Sequence, residues 1–154
     1  MSRAFVKDLD GAAPDELPEL AVSPHRNLVT PEGLQHIEAA LARLEGELSS
    51  ARAADDRAAV ARTERDLRYW RQRRVTAEVV PTAADPDVVR FGSRVTLATG
   101  TGETLQYRIV GEDESDPRRG LISYVSPLAG ELLAGRVGDV VALRGGEAEI
   151  VGIA

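Results

Sequence analysis

The stretch TPEGLQHIEAALARLEGEL, residues 30–48, decides the first half of the fold. Thr30 is a good N-cap and Pro31 suits the first helical position, so a helix begins here. Large aliphatic residues then recur at spacings of 3, 4, 3 and 4, as Leu34, Ile37, Leu41, Leu44 and Leu48. This narrow heptad stripe is typical of a coiled-coil seam, and Ser49 and Ser50 interrupt it.

A second, weaker stripe predicts a partner helix from about residue 54 to 78. It consists of Val60, Thr63, Leu67, Trp70 and Ala77. Two such helices with a short link form an antiparallel coiled-coil hairpin over residues 28–80, about 30 Å long at 1.5 Å per residue. Residues 51–74 carry eight arginines, whereas residues 30–50 carry four acids and Arg43. This polarity favours either complementary charge across the hairpin or a face for an acidic or nucleic-acid partner.

Two segments lack a sustained period. Residues 1–27 contain three prolines and predict a flexible arm, with an extended segment packed on the body as the alternative. Residues 81–88, PTAADPDV, predict a linker because Pro81 and Pro86 stop the helix.

Beyond the linker the period changes from 3.6 to 2, and residues 89–154 predict a small antiparallel sheet of about five strands. Gly100–Gly102 and the pair Gly145-Gly146 are hairpin turns. A short strand is predicted over 121–125, and the last two strands over about 139–144 and 147–153. One short helix is capped by Ser126, opened by Pro127 and closed by Gly135, with Leu128, Leu132 and Leu133 facing inward. The fold class is therefore α+β, a helical hairpin followed by a small β domain.

Composition excludes several kinds of chemistry. The 154 residues include no cysteine and only two histidines, His25 and His36, so disulfides, thiolate nucleophiles and Cys-ligated metals are excluded. Aromatic residues are 4%, and the net charge of −6 disfavours a DNA-coating role. No apolar run is long enough to span a membrane, and charges at the N-terminus disfavour a signal peptide. We expect a cytoplasmic protein with no membrane partner and no metal of its own.

The segment YRIVGEDESDPRRGLISYVSPLAGELLAGRVGDVVAL resembles the C-terminal domain of the bacterial transcript-cleavage and elongation factors of the Gre family. The opening LVTPEGLQHIEAALARLEGEL is similar to the start of that family's hairpin. The resemblance covers residues 28–154 in the same order. It implies an antiparallel coiled-coil hairpin and an FKBP-like C-terminal domain over residues 89–154.

The same resemblance implies a partner, RNA polymerase, and no enzymatic activity of the chain itself. In this family the globular domain docks at the rim of the polymerase secondary channel, and acids at the hairpin tip help to hold a magnesium ion of the polymerase. Here the tip reads SSARAADDRAA, and Asp55 and Asp56 are its only carboxylates. The hairpin is also shorter than usual by roughly two turns per arm, about 10 Å of reach. These departures favour weak or absent cleavage stimulation over active stimulation with a shared Mg²⁺.

The resemblance also places polymerase contacts at Ser126, Pro127 and Leu128, where the alternative is a helix start and nothing more. Some family members have an acid just before this position, and this chain has Val125. At the tip, Asp55 and Asp56 have a similar alternative, which is that they only begin the second helix. The acids Glu112, Asp113, Glu114 and Asp116 are interpreted as a solvated loop that could also attract a cation or a basic partner.

Two functions of other classes stay open. An FKBP-like fold allows a prolyl isomerase, but the C-terminal domain has only Phe91, Tyr107 and Tyr124 as aromatics for its pocket. The chain could also be an interaction module for a partner other than polymerase. We expect a monomer without a small-molecule substrate that contacts nucleic acid only indirectly, although the Leu34–Leu48 seam could pair between chains.

Overall fold

The computed structural model describes residues 17–82 and 85–154. The chain divides into two compact units. The tip unit comprises residues 17–23 and Ala39–Gln72, and the base unit comprises Pro24–Glu38 and Arg73–Ala154. The base unit therefore contains the two ends of the helical hairpin together with the β domain.

Two long helices form the hairpin, α1 over Pro31–Ala53 and α2 over Arg57–Thr76. Ser49 and Ser50 interrupt the apolar stripe as predicted but do not end the helix, because α1 continues through both serines to Ala53. Ala51, which follows them, is buried and extends the stripe that Leu48 ends in sequence. The second helix is shorter than predicted at both ends. In the described parts of the chain, neither helix nor any other is long and apolar enough to cross a membrane.

The heptad residues differ in burial along the seam. Ile37 and Leu44 of α1 are 0% and 3% exposed, and Leu67 of α2 is 1% exposed. Leu34, Leu41 and Leu48 are half-buried, and the small residues Ala40 and Ala51 share the buried face. The hairpin is therefore held by a few large aliphatic side chains separated by alanines.

The N-terminal segment has neither helix nor strand over residues 17–27, and it bends at Pro24-His25. Residues 1–16 of the predicted flexible arm lie outside the described residues. In the tip unit, Arg68 of α2 donates to both carboxylate oxygens of Glu19 at 3.0 Å. In the base unit, Asn27 is 4% exposed. For residues 17–27, these contacts favour the alternative of an extended segment packed on the protein, and the flexible arm over residues 1–27 stays a prediction.

A two-residue parallel ladder joins the two ends of the hairpin within the base unit. Strand β1, Leu28–Val29, precedes α1 and pairs with strand β2, Glu78–Val79, which follows α2. Val80 N–H then donates to the Val29 carbonyl at 2.9 Å. Sequence patterning missed this ladder because two residues are too few to show a period.

The β domain is a five-stranded sheet in the order β5-β4-β3-β7-β6. The strands are β3 at Arg94–Thr99, β4 at Thr104–Val110, β5 at Leu121–Ser123, β6 at Val140–Leu143 and β7 at Gly146–Ile153. Three of the four pairings are antiparallel, as predicted, but β4 and β5 pair in parallel. The long loop between β4 and β5 makes this possible, because it carries the chain back to the end of the sheet at which β4 begins.

One short helix, α3 at Pro127–Leu132, packs on the sheet. Ala129 and Leu132 are fully buried, and Leu128 and Leu133 pack against the same core. Gly135 does not close α3 as predicted. The left-handed residue that follows the helix is Ala134, with φ of 65°. Likewise the last hairpin turns at Arg144-Gly145, one residue earlier than predicted, since Leu143 pairs directly with Gly146.

Candidate functional site

The acidic loop after β4 docks on the hairpin base, contrary to the interpretation that it is solvated. Two 3-10 turns, Glu112–Glu114 and Pro117–Arg119, shape this loop. Arg73, in the last turn of α2, donates from Nε to Asp113 Oδ2 at 2.5 Å. The Arg73 side chain is 2% exposed and that of Asp113 is 9% exposed. Such a buried charge pair is stabilising only while both partners are present.

A second acid of the loop caps α1. The Thr30 hydroxyl accepts from Gly33 N–H at 3.0 Å, which is the N-cap that the sequence predicts. The carboxylate of Glu114 then accepts from the Thr30 hydroxyl and from Thr30 N–H. The same carboxylate accepts from Gly111 N–H at 3.0 Å. A negative group at this end of a helix is stabilised by the helix dipole and by the otherwise unpaired N–H groups.

The N-terminal segment completes this arrangement, which we call the base cluster (Asn27, Thr30, Arg73, Asp113 and Glu114). Asn27 Nδ2 donates to the Arg73 carbonyl at 2.7 Å and to Thr76 Oγ1 at 3.2 Å. Asn27 also accepts Glu78 N–H on its carbonyl at 2.9 Å. The cluster thus joins three segments that are distant in sequence, and it fixes the hairpin ends to the β domain.

Two titratable groups near the base cluster have shifted pKa values. A hydrogen bond from the backbone N–H of Glu32 itself lowers the pKa of the Glu32 carboxyl, and the Arg108 guanidinium lowers it further, against an opposing effect of burial. Burial raises the pKa of the Tyr124 phenol, and the nearby Glu112 carboxylate raises it further. The Tyr124 hydroxyl donates to the Arg26 carbonyl, which places the phenol beside the extended segment.

The two tip acids have structural roles in the turn between the helices. Asp56 N–H donates to the Ala51 carbonyl at 3.0 Å, and Asp55 adopts a left-handed conformation with φ of 52°. This is the usual ending of a helix, with an aspartate where glycine or asparagine is common. Asp56 Oδ1 then accepts from Ala59 N–H at 3.0 Å and caps α2. Both side chains are exposed.

Two arginines lie near Asp55. Arg52 and Arg57 line one hollow of about 280 Å³ with Asp55 and Val60. Because one Asp56 oxygen is engaged in the helix cap and the tip supplies two carboxylates, the pair does not fit a chelating site for Mg²⁺. Across residues 17–82 and 85–154, no group of three or more His, Cys, Asp or Glu side chains is placed to hold a metal ion.

Ser126, Pro127 and Leu128 lie together at the start of α3. Ser126 Oγ accepts from Ala129 N–H at 3.2 Å, so Ser126 is the predicted cap. Pro127 is exposed, and Val125 before the cap is 36% exposed. Pro127 and Leu128 line an open groove of about 500 Å³, the apolar groove, with Leu105, Tyr107, Glu131, Ala142, Leu143 and Arg144. Tyr107 is the one aromatic side chain in that lining, so the groove is not the aromatic-walled pocket that a prolyl isomerase needs.

Within the part of the chain that the structure describes, three ion pairs join the two helices, two from arginines of α2 to acids of α1 and one from Arg52 of α1 to Glu64 of α2. Arg52 pairs with Glu64 at 2.8 Å and Arg71 with Glu45 at 3.9 Å in the tip unit, and Arg74 pairs with Glu38 at 3.1 Å in the base unit. The α1 residues of these pairs decrease in number, from 52 to 45 to 38, as the α2 residues increase from 64 to 71 to 74. This order is that of an antiparallel hairpin. These observations favour the interpretation that the charge is complementary across the hairpin, although exposed pairs of this kind contribute little to stability.

The fold and these sites define a class: a helical hairpin whose base is fixed to a small curled β sheet, as the Gre resemblance implies. Residues 83–153 match the family described as transcription elongation factor, GreA/GreB, C-terminal. The C-terminal domain of this chain is therefore similar to that of the GreA/GreB transcription elongation factors.

Several curated relatives share this domain. The chain is 50% identical over 78 residues to transcription elongation factor GreB of Xanthomonas axonopodis, covering 49% of this chain and 46% of that protein. It is 42% identical over 81 residues to GreA of Pseudomonas syringae, covering 52% and 51% of the two chains. The chain thus spans about half the length of the curated relatives it matches.

Solved structures with a related architecture include the transcription factor Gfh1, at 25% identity and a TM-score of 0.42, over 84% of this chain and 97% of that one. Another is the elongation factor GreA/GreB from Nitrosomonas europaea, at 20% identity and a TM-score of 0.42, over 82% and 98% of the two chains.

Proposed function

We propose that this chain binds RNA polymerase at the secondary channel and modulates transcription elongation with weak or no stimulation of transcript cleavage. The match of residues 83–153 to the C-terminal domain of GreA/GreB elongation factors supports the elongation role. The structure of the tip supports weak or absent stimulation of cleavage. There Asp56 caps α2, and Asp55 ends α1 beside two arginines. Such a tip is poorly suited to share a magnesium ion with a polymerase.

The helix lengths support the same proposal. α1 has 23 residues and α2 has 20, which correspond to about 35 Å and 30 Å of helix at 1.5 Å per residue. A metal ion is bound at about 2 Å, so a tip that falls short by even one helical turn of about 5.4 Å cannot share it. We therefore expect this factor to occupy the channel rim and to compete there with longer Gre factors.

The surface proposed to dock on polymerase is the start of α3 with the apolar groove. Val125 and Pro127 are exposed apolar residues next to a groove lined by Leu105, Leu128 and Leu143. Exposed apolar surface of this kind is typical of protein–protein contacts. Glu131 and Arg144 at its border supply one charge of each sign for orientation.

A cleavage assay on backtracked polymerase complexes tests the proposal. Wild-type protein is expected to bind the complexes, to give little or no cleavage, and to inhibit cleavage by an added long-hairpin Gre factor. Strong cleavage that is lost in the double variant Asp55→Asn with Asp56→Asn would overturn the proposal and support an active stimulator. Asparagine keeps both the left-handed turn and the helix cap, so this variant removes charge without unfolding the tip.

Binding is tested separately with purified polymerase, by measuring complex formation with the intact protein. Failure to bind polymerase would contradict the proposal at its first step and would favour an interaction module for another partner. The proposal is supported if the protein binds polymerase, inhibits cleavage by the added long-hairpin Gre factor and gives little or no cleavage itself.

A further inference from the structure

We propose that a groove on the face of the β sheet beside the start of α1 binds the phosphate groups of a nucleoside di- or triphosphate, through Arg94, Arg108 and Arg119. The groove measures about 510 Å³, and all three arginines line it. Arg94 of β3 is the register partner of Arg108 of β4. Side chains directly opposite on neighbouring strands share one face at about 5 Å, and like charges placed so are destabilising. Glu32 offsets this cost only at Arg108, so the charge of Arg94 points to an anionic ligand.

The third arginine is brought to the same place by the backbone. Arg119 ends the 3-10 turn before Gly120, and Arg108 N–H donates to the Gly120 carbonyl at 2.8 Å. Gly120 has φ of 70°, and a Cβ there would lie 2.6 Å from the Gln106 carbonyl oxygen. This close approach fixes the turn against β4, so Arg119 and Arg108 lie at one edge of the groove.

The acids of the groove do not neutralise these arginines. The Asp113 carboxylate pairs with Arg73, and the Glu114 carboxylate caps α1. Arg108 has one acidic partner, Glu32, at 3.4 Å. In the described residues, neither Arg94 nor Arg119 has a salt bridge or a side-chain hydrogen bond. Asp116, the remaining acid, already accepts from Arg118 N–H on Oδ1.

The ligand class follows from charge, shape and size. Guanidinium groups bind phosphate oxygens with two parallel hydrogen bonds, and a cluster of three suits more than one negative charge. The volume lies within the range of small-molecule sites and exceeds what a single phosphate fills. The partly exposed Leu121 gives the lining an apolar part that the nucleoside can contact.

Titration calorimetry with ADP, pyrophosphate and adenosine tests this inference. ADP and pyrophosphate are expected to bind and adenosine is not. Arg94→Gln and Arg119→Gln are each expected to weaken ADP binding about tenfold or more, since each removes charge-assisted hydrogen bonds. Arg118→Gln is the matched control, because Arg118 neighbours Arg119 in the same turn but does not line the groove.

A second readout separates a binding role from a structural one. Without ligand, Arg94→Gln is expected to raise the melting temperature, because it removes a like-charge pair. With ADP, the variant is expected to lack the further rise in melting temperature that ADP gives the wild type. A lower melting temperature of the variant would overturn the inference. So would no binding of ADP or pyrophosphate at millimolar concentration, or equal losses in the Arg118→Gln control. Tighter binding of a single-stranded oligonucleotide that the same variants weaken would overturn the nucleotide assignment in favour of a nucleic-acid backbone.

Discussion

Arg73 Nε donates to Asp113 Oδ2 at 2.5 Å, and this buried pair joins the end of α2 to the loop after β4. Glu112 Oε2 lies 3.8 Å from an Nη of the same arginine, and it is buried without a hydrogen-bond partner in the structure. The base of the hairpin thus concentrates charge away from water around one guanidinium. The free energy of unfolding should therefore depend strongly on that residue.

Arg73→Leu is expected to lower the free energy of unfolding by roughly 3–5 kcal/mol, because Asp113 is left as a buried charge without its partner. Arg74→Leu, one residue later, removes only an exposed pair with Glu38 and is expected to cost about 1 kcal/mol or less. Adding Asp113→Leu to Arg73→Leu should recover part of the loss. Urea denaturation measures all three, and equal losses for Arg73→Leu and Arg74→Leu would contradict this account.

Gly33→Ala is expected to destabilise the protein, although alanine is normally favoured over glycine in a helix by about 1 kcal/mol. A Cβ at Gly33 would overlap the Glu114 carboxyl group that caps α1. Gly46 in the same helix has no atom within 4 Å of such a Cβ, so Gly46→Ala is the control and should stabilise. In a Glu114→Ala background the penalty at Gly33 should shrink, and a penalty that stays unchanged would show that the clash has another origin.

Asp56→Ala is expected to cost about 0.5–2 kcal/mol through the lost cap, whereas Asp56→Asn keeps the cap and should change stability little. At the neighbouring position the backbone matters instead, since Asp55 has φ of 52°. Asp55→Asn is expected to be tolerated and Asp55→Val to cost about 1–2 kcal/mol. Thermal unfolding of the four variants checks this, and a tolerated Asp55→Val would argue against the left-handed turn.

Leu128→Ser is expected to weaken binding to RNA polymerase about tenfold, because it removes apolar area from the proposed docking surface. Val140→Ser is the control, as Val140 is 62% exposed on β6 and does not line the apolar groove. Binding is measured with purified polymerase after melting curves have shown that both variants are folded. Equal weakening by the two variants would place the contact elsewhere.

The phenol of Tyr124 is expected to ionise late, because burial raises its pKa. The folded state therefore favours the neutral phenol. That contribution to stability is intact below the ordinary tyrosine pKa of about 10 and is lost as pH rises through the higher folded-state pKa. Ultraviolet titration should show the late component, and Tyr124→Phe should remove it. A late component that persists in Tyr124→Phe would refute the assignment.

Sequence patterning predicted the hairpin, the five strands and the short helix because each depends on local signals. The Thr30 and Ser126 caps are residues whose own side chains bond within three positions, and the heptad stripe repeats along a single helix. Boundaries were less well predicted. Ser49-Ser50 interrupts the apolar pattern without breaking the helix, since two serines cost little against the packing of Ala51.

The sequence by itself therefore determined the order and type of the elements, the family resemblance of the C-terminal domain and the absence of cysteine chemistry. Only the tertiary structure decided what the charged side chains do. Arg73 and Asp113 are 40 positions apart, and Thr30 and Glu114 are 84 apart. Nothing in a local charge pattern distinguishes these from solvated residues. Their burial follows from the way the hairpin base meets the loop after β4, and the facing of Arg94 and Arg108 follows from strand register.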